Sequence, residues 1–355
     1  MKRLALALSC AVAMAAAAGP HAARAAEGKA CGEDGPLRYV CGAANVEDMI
    51  QIPGTRWLVG SNMYVGRTPK EGTAGLYLID SDAKTVEPAA IAPGPEPRDG
   101  PFAGCAPPDL SKLASHGLEL RLGNGGRHTL YAVNHGGRET IEVFRVEAAP
   151  GRTKRDKPAI TWTGCLKAPP NAWLNSIAAL PDGGLMFSKF ADLDHLDMVP
   201  VLKGEDTGFV YIWEPGRGFR ELPNSRMSGT NGLLVSPDGR WLYVNDQGRW
   251  RIAHLDLRGK APPAYVKLDF RPDNLRWAPD GTILAAGQII QVGGSLGAAN
   301  GWGVARLDPK TMIARPVMNE PGRPGFSNGT VALQVGKTLW LGTFRGDRIA
   351  YVPMK

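Results

Sequence analysis

The chain has no segment in which apolar residues recur every three or four positions over the length of a globular helix, which argues against a helical core. Histidine is scarce, 6 in 355 residues, so imidazole chemistry must come from a few positions. Aromatic residues make up only 7%, and no run interleaves them with basic side chains, so nucleic acid is not an expected partner. No apolar run reaches the ~20 residues that a membrane-spanning helix needs. The N-terminal run "LALALSCAVAMAAAA" follows Lys2 and Arg3 and leads to Ala23-Arg24-Ala25. A basic start, a short apolar stretch and a small-residue end are the order of a secretory signal peptide, here residues 1–25, which leaves 26–355 as the exported, periplasmic or extracellular domain. Lys2, Arg3 and Arg24 leave with the signal, so the formal charge of +7 becomes +4, spread over an ordinary solvated surface.

Four of the five cysteines remain after cleavage: Cys31, Cys41, Cys105 and Cys165. Their spacing resembles no zinc module and none reads as a nucleophile. An even number in an exported chain suggests disulfides, with three connectivities open. The local pair favours Cys31–Cys41 with Cys105–Cys165.

What the sequence does have is 45 glycines, 29 prolines and short apolar alternations throughout, the composition of an all-β chain. "GTNGLLVSPDGRWLYVND" (229–246) shows the unit: Leu233 and Val235, then Leu242 and Val244, flank a Pro-Asp-Gly turn. Five other stretches share its design: "VEDMIQIPGTRWLVGSN", "SHGLELRLGNGGRHTLYAVNH", "LNSIAALPDGGLMFSK", "PDNLRWAPDGTILAAGQ" and "SNGTVALQVGKTLWLGT". Six such hairpins predict a six-bladed β-propeller around a central channel.

Seven positions ahead of each turn stands a polar residue: Glu47, His116, Asn175, Asn231, Asp273 and Asn328. The first residues of a blade's innermost strand lie at one mouth of the channel, so this column predicts a polar ring. A lone Asn before Gly is commonly a turn residue. Six in one column, with carboxylates among them, would be costly to bury without a counter-charge. Glu47, Asn175, Asn231, Asp273 and Asn274 offer only oxygen donors, which select Ca²⁺ or Mg²⁺ over zinc or copper, and two carboxylates with several amide oxygens favour Ca²⁺. His116 belongs to the ring and His135 ends the second strand of the same hairpin. Their imidazoles are expected to meet, either as base and supporter or as two structural histidines.

These residues carry a resemblance. "SHGLELRLGNGGRHTLYAVNHGGRETIEVFRVE", "NVEDMIQIPGTRWLVGS", "GTNGLLVSPDGRWLYV", "DNLRWAPDGTILAAG" and "NGTVALQVGKTLWLGTF" resemble the serum paraoxonase/arylesterase family from about Asn45 to Phe344. Gluconolactonase/regucalcin and strictosidine-synthase-like propellers share the PDG pattern but not the "HG…VNH" pair. The resemblance implies a six-bladed propeller that hydrolyses lactones and aryl esters with channel calcium. It implies Glu47, Asn175, Asn231, Asp273 and Asn274 as metal ligands, and His116 and His135 as the catalytic pair. Asp48 matches a ligand of a second, structural calcium, but Ser176 stands where that site has an acid. The family's N-terminal cysteine pairs near its last strand, where "TFRGDRIAYVPMK" has none, so Cys41 must pair elsewhere or stay free. Two other expectations remain open: a sugar lactonase of the gluconolactonase kind, and a calcium-braced propeller that binds a ligand without turnover. The Gly-rich stretch 289–303 reads as a blade connection or a loop over the channel mouth. Specificity is expected in loops 63–115 and 190–207.

Overall fold

Six four-stranded antiparallel blades surround one channel in the computed structural model, which describes residues 28–64, 75–148, 156–289 and 301–354. The segment 1–25, expected to be a signal peptide, lies outside the described residues. Blade 1 runs from the channel outward as Met49–Gln51, Trp57–Gly60, Tyr77–Asp80 and Thr85–Pro88. The innermost strands of blades 2 to 6 are Ser115–Arg121, Ala172–Ala179, Thr230–Val235, Arg271–Trp277 and Gly329–Val335. The sheet orders confirm the six-hairpin reading of the sequence.

The inner strands bury both faces rather than one. Thr230 to Leu234 are all buried, because each propeller sheet is covered by a neighbour on either side. Six apolar clusters result, one at each blade interface. Trp162 and Leu118 of blade 2 pack with Val59 of blade 1, while Trp302 of blade 5 packs with Leu339 and Phe326 of blade 6. Met49 and Leu58 meet Val331 and Trp340 where blade 1 joins blade 6. Each fully buried side chain of this size contributes about 1.5–3 kcal/mol.

The ring closes with a strand from the other end of the chain. Leu37–Cys41 pairs with Arg348–Pro353 as the outer strand of blade 6, and Gly28–Asp34 bridges from it to the outer edge of blade 1. Cys31–Cys41 staples this bridging hairpin, which gives Cys41 the partner that the missing C-terminal cysteine could not. Cys105–Cys165 ties the long loop after blade 1 to the outer strand of blade 2. The stretch 289–303 joins the second and third strands of blade 5, and its interior, 290–300, lies outside the described residues. Loop 190–207 carries a short helix, Met198–Lys203, over the mouth where the inner strands begin: Ser228 Oγ donates to Val201 O, 3.1 Å away. Among the described residues no helix is long and apolar enough to cross a membrane.

Candidate functional site: a polar ring at one mouth of the channel

Each inner strand of blades 2 to 6 loses its pairing register near its start. The breaks fall between Ser115 and Leu118, Leu174 and Ile177, Thr230 and Leu233, Pro272 and Leu275, and Gly329 and Val331. Such irregularities bend a strand and re-aim its side chains. The residues inside them include His116, Asn175, Asn231, Asp273 and Asn274, and blade 1 places Glu47 and Asp48 just ahead of Met49–Gln51. Successive blades touch here. A Cβ on Gly117 would lie 2.2 Å from Asn175 O, and one on Gly232 would lie 2.3 Å from Asp273 O, so only glycine permits the approach.

The ring is joined by hydrogen bonds across distant parts of the sequence. Asn274 Nδ2 donates to Glu47 Oε1, and Thr330 Oγ1 donates to the Glu47 carbonyl at 2.6 Å. Glu47 Oε2 lies 3.7 Å from His116 Nε2, and Asn175 Nδ2 is 3.3 Å from the same nitrogen. Gln288 and Asn231 hydrogen-bond the Asp273 carboxylate. Blade 6 thus reaches the ring through Thr330, while Asn328 is buried at the start of that strand. Burial, then the charges of Asp273 and Asp48, push the Glu47 carboxyl well above the usual carboxylate range. Burial also raises Asp273.

Three buried oxygens in this set have no hydrogen-bond partner: Glu47 Oε2, Asn175 Oδ1 and Asn231 Oδ1. An unsatisfied buried acceptor costs about 1–3 kcal/mol, and more when charged. Two raised carboxylates and orphaned amide oxygens are what a hard cation would satisfy, so the residues fit Ca²⁺. Among the described residues no three His, Cys, Asp or Glu side chains form a metal-holding group. The fit rests on carboxylate and amide oxygens together.

The two histidines do meet. His116 Nδ1 is 3.0 Å from His135 Nε2. His135 Nδ1 in turn lies 2.7 Å from Glu139 Oε2, and the Trp173 ring stacks on His135 at 3.7 Å between centroids. Burial, and secondarily His135, hold the His116 pKa well below its usual value, so this imidazole is neutral at neutral pH. Glu139 and Trp173 escaped the sequence reading. Their only signals were the four-residue step from His135 to Glu139 and the two-residue step from Trp173 to Asn175.

Asp48 departs from its expected role. Its Oδ2 accepts from the Arg276 guanidinium and from Leu118 N at 2.8 Å, and its Oδ1 accepts from Met49 N at 2.8 Å. Arg276 also donates to the carbonyls of Met49 and Leu118, at 2.9 and 3.0 Å. Ser176 Oγ accepts from Leu233 N at 3.2 Å. A guanidinium already neutralises Asp48, so the residues here do not fit a second calcium. Beyond this layer the channel opens into a cavity of about 670 Å³ lined by Glu119, Arg276 and Trp277, where burial raises the Glu119 pKa to about 7.

Fold and site together define a six-bladed propeller with an oxygen-rich centre at one mouth of its channel. The chain belongs to the SMP-30/gluconolactonase/LRE-like family, whose profile matches residues 129–343. Among solved structures, a provisionally assigned gluconolactonase aligns at 18% identity and TM-score 0.50, over 89% of this chain and 91% of that one. A luciferin-regenerating enzyme aligns at 13% identity and TM-score 0.52, over 88% and 92%. These likenesses concern the fold. No curated protein matches the chain. The family match reaches the gluconolactonase-like propellers as a group and does not extend to the narrower paraoxonase assignment.

Proposed function

We propose that this protein is an exported, calcium-dependent hydrolase of lactones and aryl esters, of the paraoxonase-like kind. The observation that carries the reading is a ring with three orphaned oxygens, one of which, Glu47 Oε2, lies 3.7 Å from the Nε2 of a neutral, buried histidine. Family membership supports a lactonase-like hydrolase in general terms. The bonded His116–His135 pair favours the paraoxonase-like form over a sugar lactonase built on the metal ring alone. Two disulfides and the N-terminal signal pattern support an oxidising destination.

Glu47, Asn175, Asn231, Asp273 and Asn274 would hold the ion. Bound there, calcium supplies a Lewis-acid charge for the carbonyl oxygen of a small-molecule ester or lactone. His116 Nε2, neutral because it is buried, removes a proton from water as the oxygen attacks the carbonyl carbon. His135, bonded to the other face of His116, stabilises the charge that arrives. Asn274 and Thr330 fix Glu47 through its carboxylate and carbonyl. The route proposed is direct attack by this water, without a covalent acyl-enzyme.

The test is hydrolysis of phenyl acetate and a panel of aliphatic lactones by the mature chain, before and after EDTA, with calcium then restored. Activity that disappears and returns supports the proposal. Calcium binding that raises the melting temperature, with no turnover of any substrate, would replace it with a ligand-binding propeller.

A further inference from the structure

His135 is not the end of its hydrogen-bonded chain. Three contacts run in series: Asn175 Nδ2 to His116 Nε2 at 3.3 Å, His116 Nδ1 to His135 Nε2 at 3.0 Å, and His135 Nδ1 to Glu139 Oε2 at 2.7 Å. The two ends of the series have fixed roles, since an amide nitrogen donates and a carboxylate oxygen accepts. Only one direction of donation satisfies both. Asn175 donates to His116 Nε2, His116 Nδ1–H donates to His135 Nε2, and His135 Nδ1–H donates to Glu139. Each imidazole is then neutral, with its proton on Nδ1 and its lone pair on Nε2. The reverse arrangement would set a ring N–H against the Asn175 amide and a bare ring nitrogen against the carboxylate.

From this we infer that Glu139 is the positioning residue of the histidine pair: by accepting from His135 Nδ1 it sets both tautomers and turns the His116 Nε2 lone pair toward the ring.

The surroundings leave Glu139 available for this work. The neighbouring Arg138 is engaged by Glu142, with Nε and Nη2 each 2.8 Å from one carboxylate oxygen. Blade 3 presents the uncharged Trp173 ring to His135. Among the described residues, the charged or titratable groups found against His135 are Glu139 and His116, with Glu47 lying beyond His116.

The catalytic consequence rests on the hydrolase reading. The 3.3 Å amide contact is the longest of the series and the one an incoming water displaces. An O–H bond of that water then breaks and an N–H bond forms at His116 Nε2. The proton on His116 Nδ1 passes to His135 Nε2. The positive charge ends on the His135 imidazolium, against Glu139, and the water oxygen bonds the carbonyl carbon as the carbonyl π pair moves onto its oxygen; return of that pair breaks the C–O bond to the leaving oxygen. One proton enters the pair and one charge is held there until the leaving oxygen recovers it.

The experiment uses the calcium-loaded mature chain with ¹⁵N-labelled histidine, as wild type, Glu139→Leu and Glu139→Asp. Long-range ¹H–¹⁵N spectra read the tautomer of each ring. Calcium titration and phenyl acetate kinetics are measured on the same samples. The wild type is expected to show His116 and His135 protonated on Nδ1. E139L should move both rings toward the Nε2–H form and lower kcat by about 10- to 100-fold, the range seen when an outer hydrogen-bond partner is lost. KM and calcium affinity should stay unchanged, and E139D should restore most of kcat. A wild-type His135 carrying its proton on Nε2 would overturn the inference without reference to any variant. So would E139L with both tautomers and kcat intact. A tautomer switch in a chain that hydrolyses no ester would uphold the positioning role and overturn the hydrolase reading alone.

Discussion

Glu47 and Asp48 are consecutive, both buried on the channel axis, and differently served. Asp48 has a cation of its own: Arg276 donates to its carboxylate while also bonding the carbonyls of Met49 and Leu118, so one guanidinium joins blades 1, 2 and 5. Glu47 receives a single amide on one oxygen, and its other oxygen faces a neutral histidine across 3.7 Å. Burial raises both carboxyls, but only at Asp48 does an arginine oppose the rise as the largest counter-influence. The chain can therefore supply a counter-charge to this channel, and it does so one layer from where it leaves oxygens orphaned. The contrast separates a brace from a site: the satisfied layer ties blades together, and the unsatisfied one is where an external cation has something to contribute.

The brace should break most heavily. Arg276→Met strands the Asp48 carboxylate in the interior, and removing one partner of a buried pair costs about 3–5 kcal/mol. Urea unfolding of the single variant measures this, and Asp48→Asn combined with Arg276→Met should recover most of it. A single variant within about 1 kcal/mol of wild type would mean that the two layers do not differ as described.

The site should respond in ligand binding instead. Glu47→Gln is expected to weaken calcium by at least about 100-fold, since even outer partners of metal sites reach that range. Isothermal titration reads the loss, and unchanged affinity would remove Glu47 from the ligand set.

The site layer should also make stability depend on pH when no cation is bound. In metal-free protein Glu47 and Asp273 have folded pKa values raised above the ordinary 4.5 and 3.8, Asp273 to about 7. Raised carboxyls stabilise the fold while protonated, and that contribution is lost as pH climbs from the unfolded value through the folded one. Metal-free protein should thus be less stable at pH 8 than at pH 5, by about 1–3 kcal/mol, because each tenfold change in proton affinity between the two states is worth about 1.4 kcal/mol. Calcium should reduce or reverse the difference by holding the carboxylates ionised. Urea midpoints at both pH values, with EDTA or calcium, check this; equal midpoints in EDTA would contradict it.

The smallest effect belongs to the ring's scaffold. Thr330→Val deletes the 2.6 Å bond to the Glu47 carbonyl and should cost about 1 kcal/mol, seen as a modest fall in melting temperature. No fall at all would make Thr330 incidental to the ring.

Much of this architecture is written locally. The Pro-Asp-Gly turns and alternating apolar residues mark the hairpins, and the polar column ahead of them carries Glu47, His116, Asn175, Asn231 and Asp273 to one mouth. What stayed hidden acts between blades. Arg276 belongs to a strand whose pattern shows nothing unusual, and its partner lies 228 positions away. Thr330, two residues past Asn328, makes the ring contact because the break in its strand moves the reach of blade 6. Glu139 sits in a loop of charged and small residues that looks like plain surface until His135 folds against it. The outer strand of blade 6 comes from residues 37–41, a closure that no hairpin signal encodes.

The most direct test counts ions. Metal-free protein titrated with calcium should bind one ion per chain. That single binding event should weaken by at least about 100-fold in Glu47→Gln and persist unchanged in Asp48→Asn, because Asp48 is already served by Arg276. No binding would dissolve the metal centre, and two ions per chain, with one lost in Asp48→Asn, would contradict the division between brace and site.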